Sequence, residues 1–191
     1  MRSDTERNRA RIIKAASRLA AKHGNAIRMQ DVAEKAEVST ATAYRHFGSV
    51  DDALAEFRFG VGETLREFSI ARDEHGLDLL EVVSARWIEL VMKHGRAMVH
   101  TRSDEGYLKR LRSGATYLTV QADALERPIR EAVAEAGIDD PGDLGLFFWN
   151  ALFDPREIFD LHQTVGLTAD EMAPRLVRTL LGALRGWAPA T

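Results

Sequence analysis

The chain has 191 residues, of which 45% are hydrophobic and 29% charged, a balance that fits a globular protein with a substantial core. It has no cysteine, which excludes disulfides, thiolate metal sites and a cysteine nucleophile. The net charge of -3 is unevenly spread: residues 1–50 carry ten Lys and Arg against five Asp and Glu, a net of +5, and the remainder carries sixteen against twenty-four, a net of -8. A basic first quarter on an acidic body points to a polyanion as the partner of the first part. No apolar run approaches the ~18 to 20 residues that span a bilayer, and the charged stretch from Arg2 to Arg11 lacks the apolar segment of a signal peptide. A cytoplasmic, non-membrane protein is therefore expected.

Helical periodicity runs through the chain and strand patterns are nearly absent. Ser3 and Glu6 read as a capping box for a first helix, whose apolar stripe is Ile12, Ile13, Ala16, Leu19 and Ala20 and whose end is marked by Gly24. Met29, Val32, Ala33 and Ala36 share one face of a short second helix, and Ser39 caps a third that ends near Phe47. Ser49 with Asp52 opens a fourth, expected to reach about Arg72. Leu80, Val83, Trp87, Leu90, Val91 and His94 define a fifth helix, with Gly95 near its end. Residues 97–113 read as helical, punctuated by Gly106 and Gly114. A further helix over Thr116 to Ala136 contains Pro128, which is expected to kink or split it. After a turn at 137–142, Leu144, Phe147, Phe148, Ala151 and Leu152 begin an apolar helix that is kinked at Asp154-Pro155-Arg156-Glu157. Thr168 and Glu171 cap the last helix, which carries Leu176, Val177, Leu180, Leu181 and Leu184. The expected architecture is all-α with about nine helices: a three-helix unit over residues 1–50, then a larger helical bundle over 51–191.

Two short helices crossing over a tight turn form a helix-turn-helix, which requires a small residue where they touch and an apolar one just after the turn. Ala33 and Val38 supply these, and Ala43 and Phe47 face inward from the second helix. Its outward face then carries Thr40, Thr42, Tyr44, Arg45 and His46, hydroxyls and cations suited to base edges and phosphates.

The run from Asp31 to Phe47, with Arg11-Ile12-Ile13-Lys14-Ala15-Ala16, Leu19 and Gly24 before it, resembles the DNA-binding signature of the TetR/AcrR family over about residues 8 to 54. The resemblance implies a transcriptional regulator, a repressor released from its operator by a small-molecule effector. It implies a DNA-binding set of Arg28, Gln30, Ser39, Thr40, Ala41, Thr42, Tyr44, Arg45 and His46. It also implies homodimerisation through the last two helices and an effector pocket among helices five to eight. Trp87, Met98, Tyr117, Phe147 and Phe148 are the candidate pocket residues, for a small apolar ligand. Two recognition helices roughly 34 to 36 Å apart would read a pseudo-palindrome in double-stranded DNA.

Four positions depart from the family pattern. Glu37 stands where glycine is usual in the turn, at a cost of roughly 1 kcal/mol if its φ is positive. Ala43 replaces a commoner leucine, Arg28 a capping Ser or Thr, and Val50 a lysine, with Asp51 and Asp52 behind it. Fewer contacts to the DNA backbone are therefore expected than the family pattern implies. No enzyme motif is present: Gly60-Val61-Gly62 lies within a helical pattern with no strand before it. His75, His100 and His162 lack metal-ligand spacing, and His94 reads as an interior histidine, so neither metal nor cofactor is expected. The rival reading is a helical ligand-binding or scaffold protein whose helix-turn-helix does not bind DNA.

Overall fold

A computed structural model describes residues 4–99 and 105–187. Among the described residues all regular structure is helical. The cap expected at Ser3 and the histidine at position 100 lie outside them.

Helix α1 (Asp4–His23) buries Ile12, Ala15, Ala16, Ser17 and Ala20. It stops at Gly24, whose φ of 64° is open to glycine at little cost. A single 3-10 turn (Gly24–Ala26) leads to α2 (Met29–Ala36), where Asp31 accepts a hydrogen bond from the Arg28 backbone N–H at 2.8 Å. The Arg28 side chain, which has donors only, accepts nothing from the helix start and so does not cap it. In α3 (Thr40–His46) the Ser39 hydroxyl accepts from the Thr42 N–H at 3.1 Å, the expected N-cap. The three helices close on Ile12, Ala16, Val32, Ala33 and Ala43, all essentially without exposure.

Helix α4 (Val50–Ile70) opens at Ser49, whose hydroxyl accepts from the Asp52 N–H at 3.1 Å. It joins two cores. Ala53 and Leu54 belong to the N-terminal cluster, Val61 and Leu65 to that of the bundle, and Phe57 packs against both. The bundle continues with α5 (Gly76–Met98), α6 (Tyr107–Arg112), α7 (Thr116–Glu135), α8 (Asp143–Leu152), α9 (Pro155–Gln163) and α10 (Ala169–Trp187). Helices α4 and α5 pack along α7, and α10 lies against α5 and α8.

The aromatic centre of the bundle is tied down at its polar atoms, as buried tryptophans require. Trp149 stacks on Phe153 with ring centroids 4.8 Å apart and donates to the Ser84 hydroxyl, while Trp87 donates to the Phe153 carbonyl at 2.9 Å. The α4–α7 contact is close: a Cβ on Gly62 would lie 2.5 Å from Val120 Cγ1. Seven residues further on, the buried Ser69 hydroxyl donates to the Ala124 carbonyl at 2.7 Å.

The turn between α4 and α5 is held by side chains of α7. Arg127 donates to the carbonyls of Arg72 and Glu74, while Glu131 and Glu135 accept from the backbone N–H groups of Gly76 and Leu77. Two carboxylates thus satisfy donors left over at the start of α5, where the helix dipole also favours them. The hydrogen bond from Arg127 is the main reason the Glu131 carboxyl is held below its ordinary range.

Two expectations change in detail. The segment read as one kinked helix is two, because Asp154 caps a fresh start: it accepts from the Arg156 N–H at 2.9 Å with Pro155 in the first turn. Pro128, by contrast, does not split α7, which runs through it with the proline side chain buried in the bundle. The Thr168–Glu171 pair forms its capping box in full, each residue bonding the other's backbone N–H.

Candidate nucleic-acid interface and ligand cavity

The turn between α2 and α3 solves the glycine problem posed by Glu37. That residue adopts φ 53° and ψ 45°, the only positive φ of a non-glycine among the described residues. Its N–H bonds the Glu34 carbonyl at 3.0 Å and the Val38 N–H reaches back to the Ala33 carbonyl at 3.0 Å, the paired bonds of a Schellman turn. The Arg11 guanidinium, on α1, meets both the Glu37 carboxylate and its carbonyl, so the strained residue is clasped by a cation.

On α3 the inward side chain is Ala43, fully buried, and Phe47 closes the end beneath the Arg9 guanidinium, 5.0 Å from its ring centre. The remaining positions face solvent. Ser39, Ala41, Tyr44 and Arg45 are exposed, and Thr40, Thr42 and His46 half-buried. Tyr44 is 54% exposed, unusual for a tyrosine on a helix with no partner to cover it. Arg28 and Gln30 stand exposed at the start of α2. The structure thus brings the nine sequence-derived positions to α3 and the start of α2. Arg28 already faces a carboxylate, with Nε 3.6 Å from Asp31.

A second site lies in the bundle. A cavity of about 320 Å³ opens between α4 and the α5–α9 helices. Trp87, Met98 and Tyr117 line it, as the sequence suggested, joined by Leu118, Phe153 and Pro155. Phe147 and Phe148 do not. They sit half-exposed on α8, edge to face with one another at 5.4 Å, and Phe148 makes a similar contact with Trp187 at 5.5 Å.

The polar lining was not foreseen. Arg58 from α4, Arg110 from α6, Gln121 from α7, Asn150 from α8 and Asp154 and Arg156 at the start of α9 all reach the cavity. The Arg58 guanidinium lies over the Tyr117 ring, 4.3 Å from its centre, and Arg110 donates to the Tyr117 hydroxyl at 2.8 Å. Burial draws the Arg58 pKa down, and the charge of Arg110 adds to that effect against the opposing influence of Tyr117 and Asp154. Burial also pushes the Asp154 carboxyl up, but the hydrogen bonds and charge of Arg156 outweigh it and hold the group below its usual range. A single sequence carries no signal for such a lining, because an arginine in an amphipathic helix ordinarily points to water. His94, expected inside, is half-buried at the surface edge of Phe57, with centroids 5.8 Å apart; burial and Lys93 lower its pKa.

Among the described residues no group of His, Cys, Asp and Glu is placed to hold a metal ion, and no helix is long and apolar enough to cross a membrane.

The chain is thus all-α among the described residues, with the exposed second helix of a helix-turn-helix set on a bundle that holds a cavity. Residues 12–56 match the model of the bacterial regulatory proteins, tetR family. The whole fold is shared with solved structures of low identity. The fatty acid degradation regulator FadR from Bacillus halodurans is 15% identical, with a TM-score of 0.67 over 97% of this chain and 98% of that one. A tetR-family transcriptional regulator from Streptomyces coelicolor is 16% identical, with a TM-score of 0.64 over 97% of this chain and 82% of that one. A transcriptional regulator of the TetR/AcrR family from Thermobifida fusca YX-ER1 is 19% identical, with a TM-score of 0.56 over 94% and 98%. No curated protein matches the chain.

Proposed function

We propose that the protein is a homodimeric, cytoplasmic transcriptional repressor whose α3 enters the major groove of a pseudo-palindromic operator and which a small molecule in the bundle cavity releases. The observation that carries this reading is the outward face of α3, where Tyr44 and Arg45 stand exposed on a helix whose other side is locked by Ala43 and Phe47. A cation and a phenol on such a face can reach base edges and phosphates. Its work is binding; no catalytic residue is assigned.

The dimer is proposed to form through α8 and α10, which pack on each other. Their outward surface carries Phe147, Phe148 and the 61% exposed Trp187, an apolar patch of the kind a symmetry-related copy covers. The functional boundary is placed near residue 50, at the start of α4. That helix is the proposed link between sites: Arg58 and Gly62 line the cavity, and Leu54, one turn earlier, is buried in the DNA-binding core. A ligand that repositions α4 repositions α3 with it, by no more than the ligand's differential affinity for the two arrangements.

The test is a gel-shift assay on DNA flanking the protein's own gene, at low salt and with competitor DNA. Sequence-preferring binding that Arg45→Ala weakens, with the dimer intact by light scattering, is the expected result. An absence of sequence preference would instead leave a helical ligand-binding or scaffold protein.

A further inference from the structure

Most polar groups that line the bundle cavity are engaged within the protein. Arg156 grips both oxygens of Asp154, at 2.9 and 2.8 Å. Arg110 donates to the Tyr117 hydroxyl, Arg58 lies over the Tyr117 ring, and the Trp87 N–H is spent on the Phe153 carbonyl. Gln121 is the exception. It lines the cavity from α7 and is only 8% exposed, yet its carboxamide has no hydrogen-bond partner among the described residues. Asn150, half-buried on α8, lines the same space and likewise has none.

A carboxamide holds an acceptor and two donors, and burying them unpaired is costly. Packing alone does not ask for that cost. Leu118 and Leu125 flank Gln121 on the same face of α7, both 1% exposed, so an apolar side chain is the ordinary occupant of this row. The amide stands where a ligand can meet it. Its oxygen and its N–H lie on one edge, and only a group with a carbonyl and an N–H side by side pairs with both. A carboxylate satisfies the N–H but sets its second oxygen against the Gln121 oxygen; an ester or a tertiary amide brings no donor.

The rest of the space bounds the ligand. Trp87, Leu118 and Phe153 present an apolar wall. The volume of about 320 Å³ is at the lower end of the roughly 300 to 1,000 Å³ of small-molecule sites, room for one or two rings.

We propose that the ligand of this cavity is a small neutral molecule with a primary amide or lactam edge, paired at two points with the Gln121 carboxamide, its apolar body against Trp87, Leu118 and Phe153. The proposal rests on the reading of this cavity as the effector site and adds a polar anchor to the apolar effector expected from the sequence. The anchor sits where α4 meets α7: a Cβ on Gly62 would lie 3.6 Å from the Gln121 backbone nitrogen.

The experiment is calorimetric titration of the full chain, without DNA, with benzamide and oxindole. Each is run beside its fully N-methylated form, which keeps the carbonyl and loses every N–H, and benzoate is the acid control. At least one of the two amides is expected to bind ten times or more tighter than its N-methylated form, and tighter than benzoate. Gln121→Leu, which keeps the bulk and removes the amide, is expected to abolish that preference; should it fail to fold, Gln121→Met carries the test. No binding of either amide, equal binding of the N-methylated forms, tighter binding of benzoate, or a preference that survives the substitution would each overturn the proposal. DNA binding is measured separately: a chain that prefers amides but ignores DNA refutes the regulator, and one that binds its operator but no amide refutes the Gln121 site alone.

Discussion

The two cores of this protein are built from opposite materials. The N-terminal one is made largely of alanine, with Ala15, Ala16, Ala20, Ala33, Ala36, Ala43 and Ala53 all buried around Ile12 and Val32. The bundle core is made of large side chains, Trp87, Trp149, Phe153 and Met172 among them, with leucines filling between. Small residues let short helices approach closely and fix their crossing angle, which a helix-turn-helix needs in order to present α3 at a set pitch. Large aromatic residues span wider gaps between long helices and leave room beside them for a cavity. One core is specified by what it cannot accommodate, the other by what it would lose.

Substitutions of opposite sense should therefore hurt the two regions. Trp149→Ala, deleting a stacked and hydrogen-bonded ring, should cost about 3 to 5 kcal/mol in denaturant unfolding, the largest single effect we expect. A cost under ~1 kcal/mol would mean that the bundle refills the space and that its aromatic core is not structural. Ala33→Leu, adding bulk where α2 meets its neighbours, should cost about 1 to 3 kcal/mol and abolish DNA binding, whereas the same enlargement at half-buried Ala183 of α10 should be mild. Gly62→Ala, whose new methyl would meet Val120, should cost a similar ~1 to 3 kcal/mol. It should also change DNA affinity in the absence of ligand, a result that a purely local clash would not give.

Smaller effects sharpen the picture at the turn and the recognition face. Glu37→Gly removes the left-handed strain but also the Arg11 contact and adds chain entropy. Stability should rise, by less than ~1 kcal/mol, measured by thermal melting. A fall would show that the Arg11 clasp outweighs the strain. Arg45→Ala should leave stability within ~0.5 kcal/mol while weakening operator binding several-fold. Loss of stability there would make the α3 face structural.

Much of this was legible in the sequence because it is local. The caps at Ser39, Ser49, Asp154 and Thr168 each bond a backbone N–H within three residues, and the spacing of Val32, Ala33, Val38, Ala43 and Phe47 already describes a helix-turn-helix. The cavity was not, because its walls come from positions 58 to 156 and only packing brings them together. Phe147 and Phe148 show the limit: an apolar residue on a helix has the same appearance whether it faces a cavity, a core or an open surface. Arg58 shows the converse, since nothing near it in the chain signals that its charge is withheld from water. Of the two outcomes expected at Pro128, a kink or a split, the split does not occur. Neighbouring residues indicate a broken helix, and burial against the bundle holds it together.

The clasp that Arg127, Glu131 and Glu135 place on the turn after α4 has a mechanical consequence. It anchors the far end of a 21-residue helix, which at 1.5 Å per residue is a rod of roughly 30 Å. A rod fixed at one end is a lever, and a tilt of only ~5° would carry its free tip roughly 3 Å, on that length. The free tip is the end that holds the DNA-binding unit. Arg58 lies 12 residues from the anchored end, roughly 18 Å at 1.5 Å per residue, so a push of about 1.5 Å there would arrive at the tip as roughly 3 Å, carried by the arm's stiffness and not its flexibility.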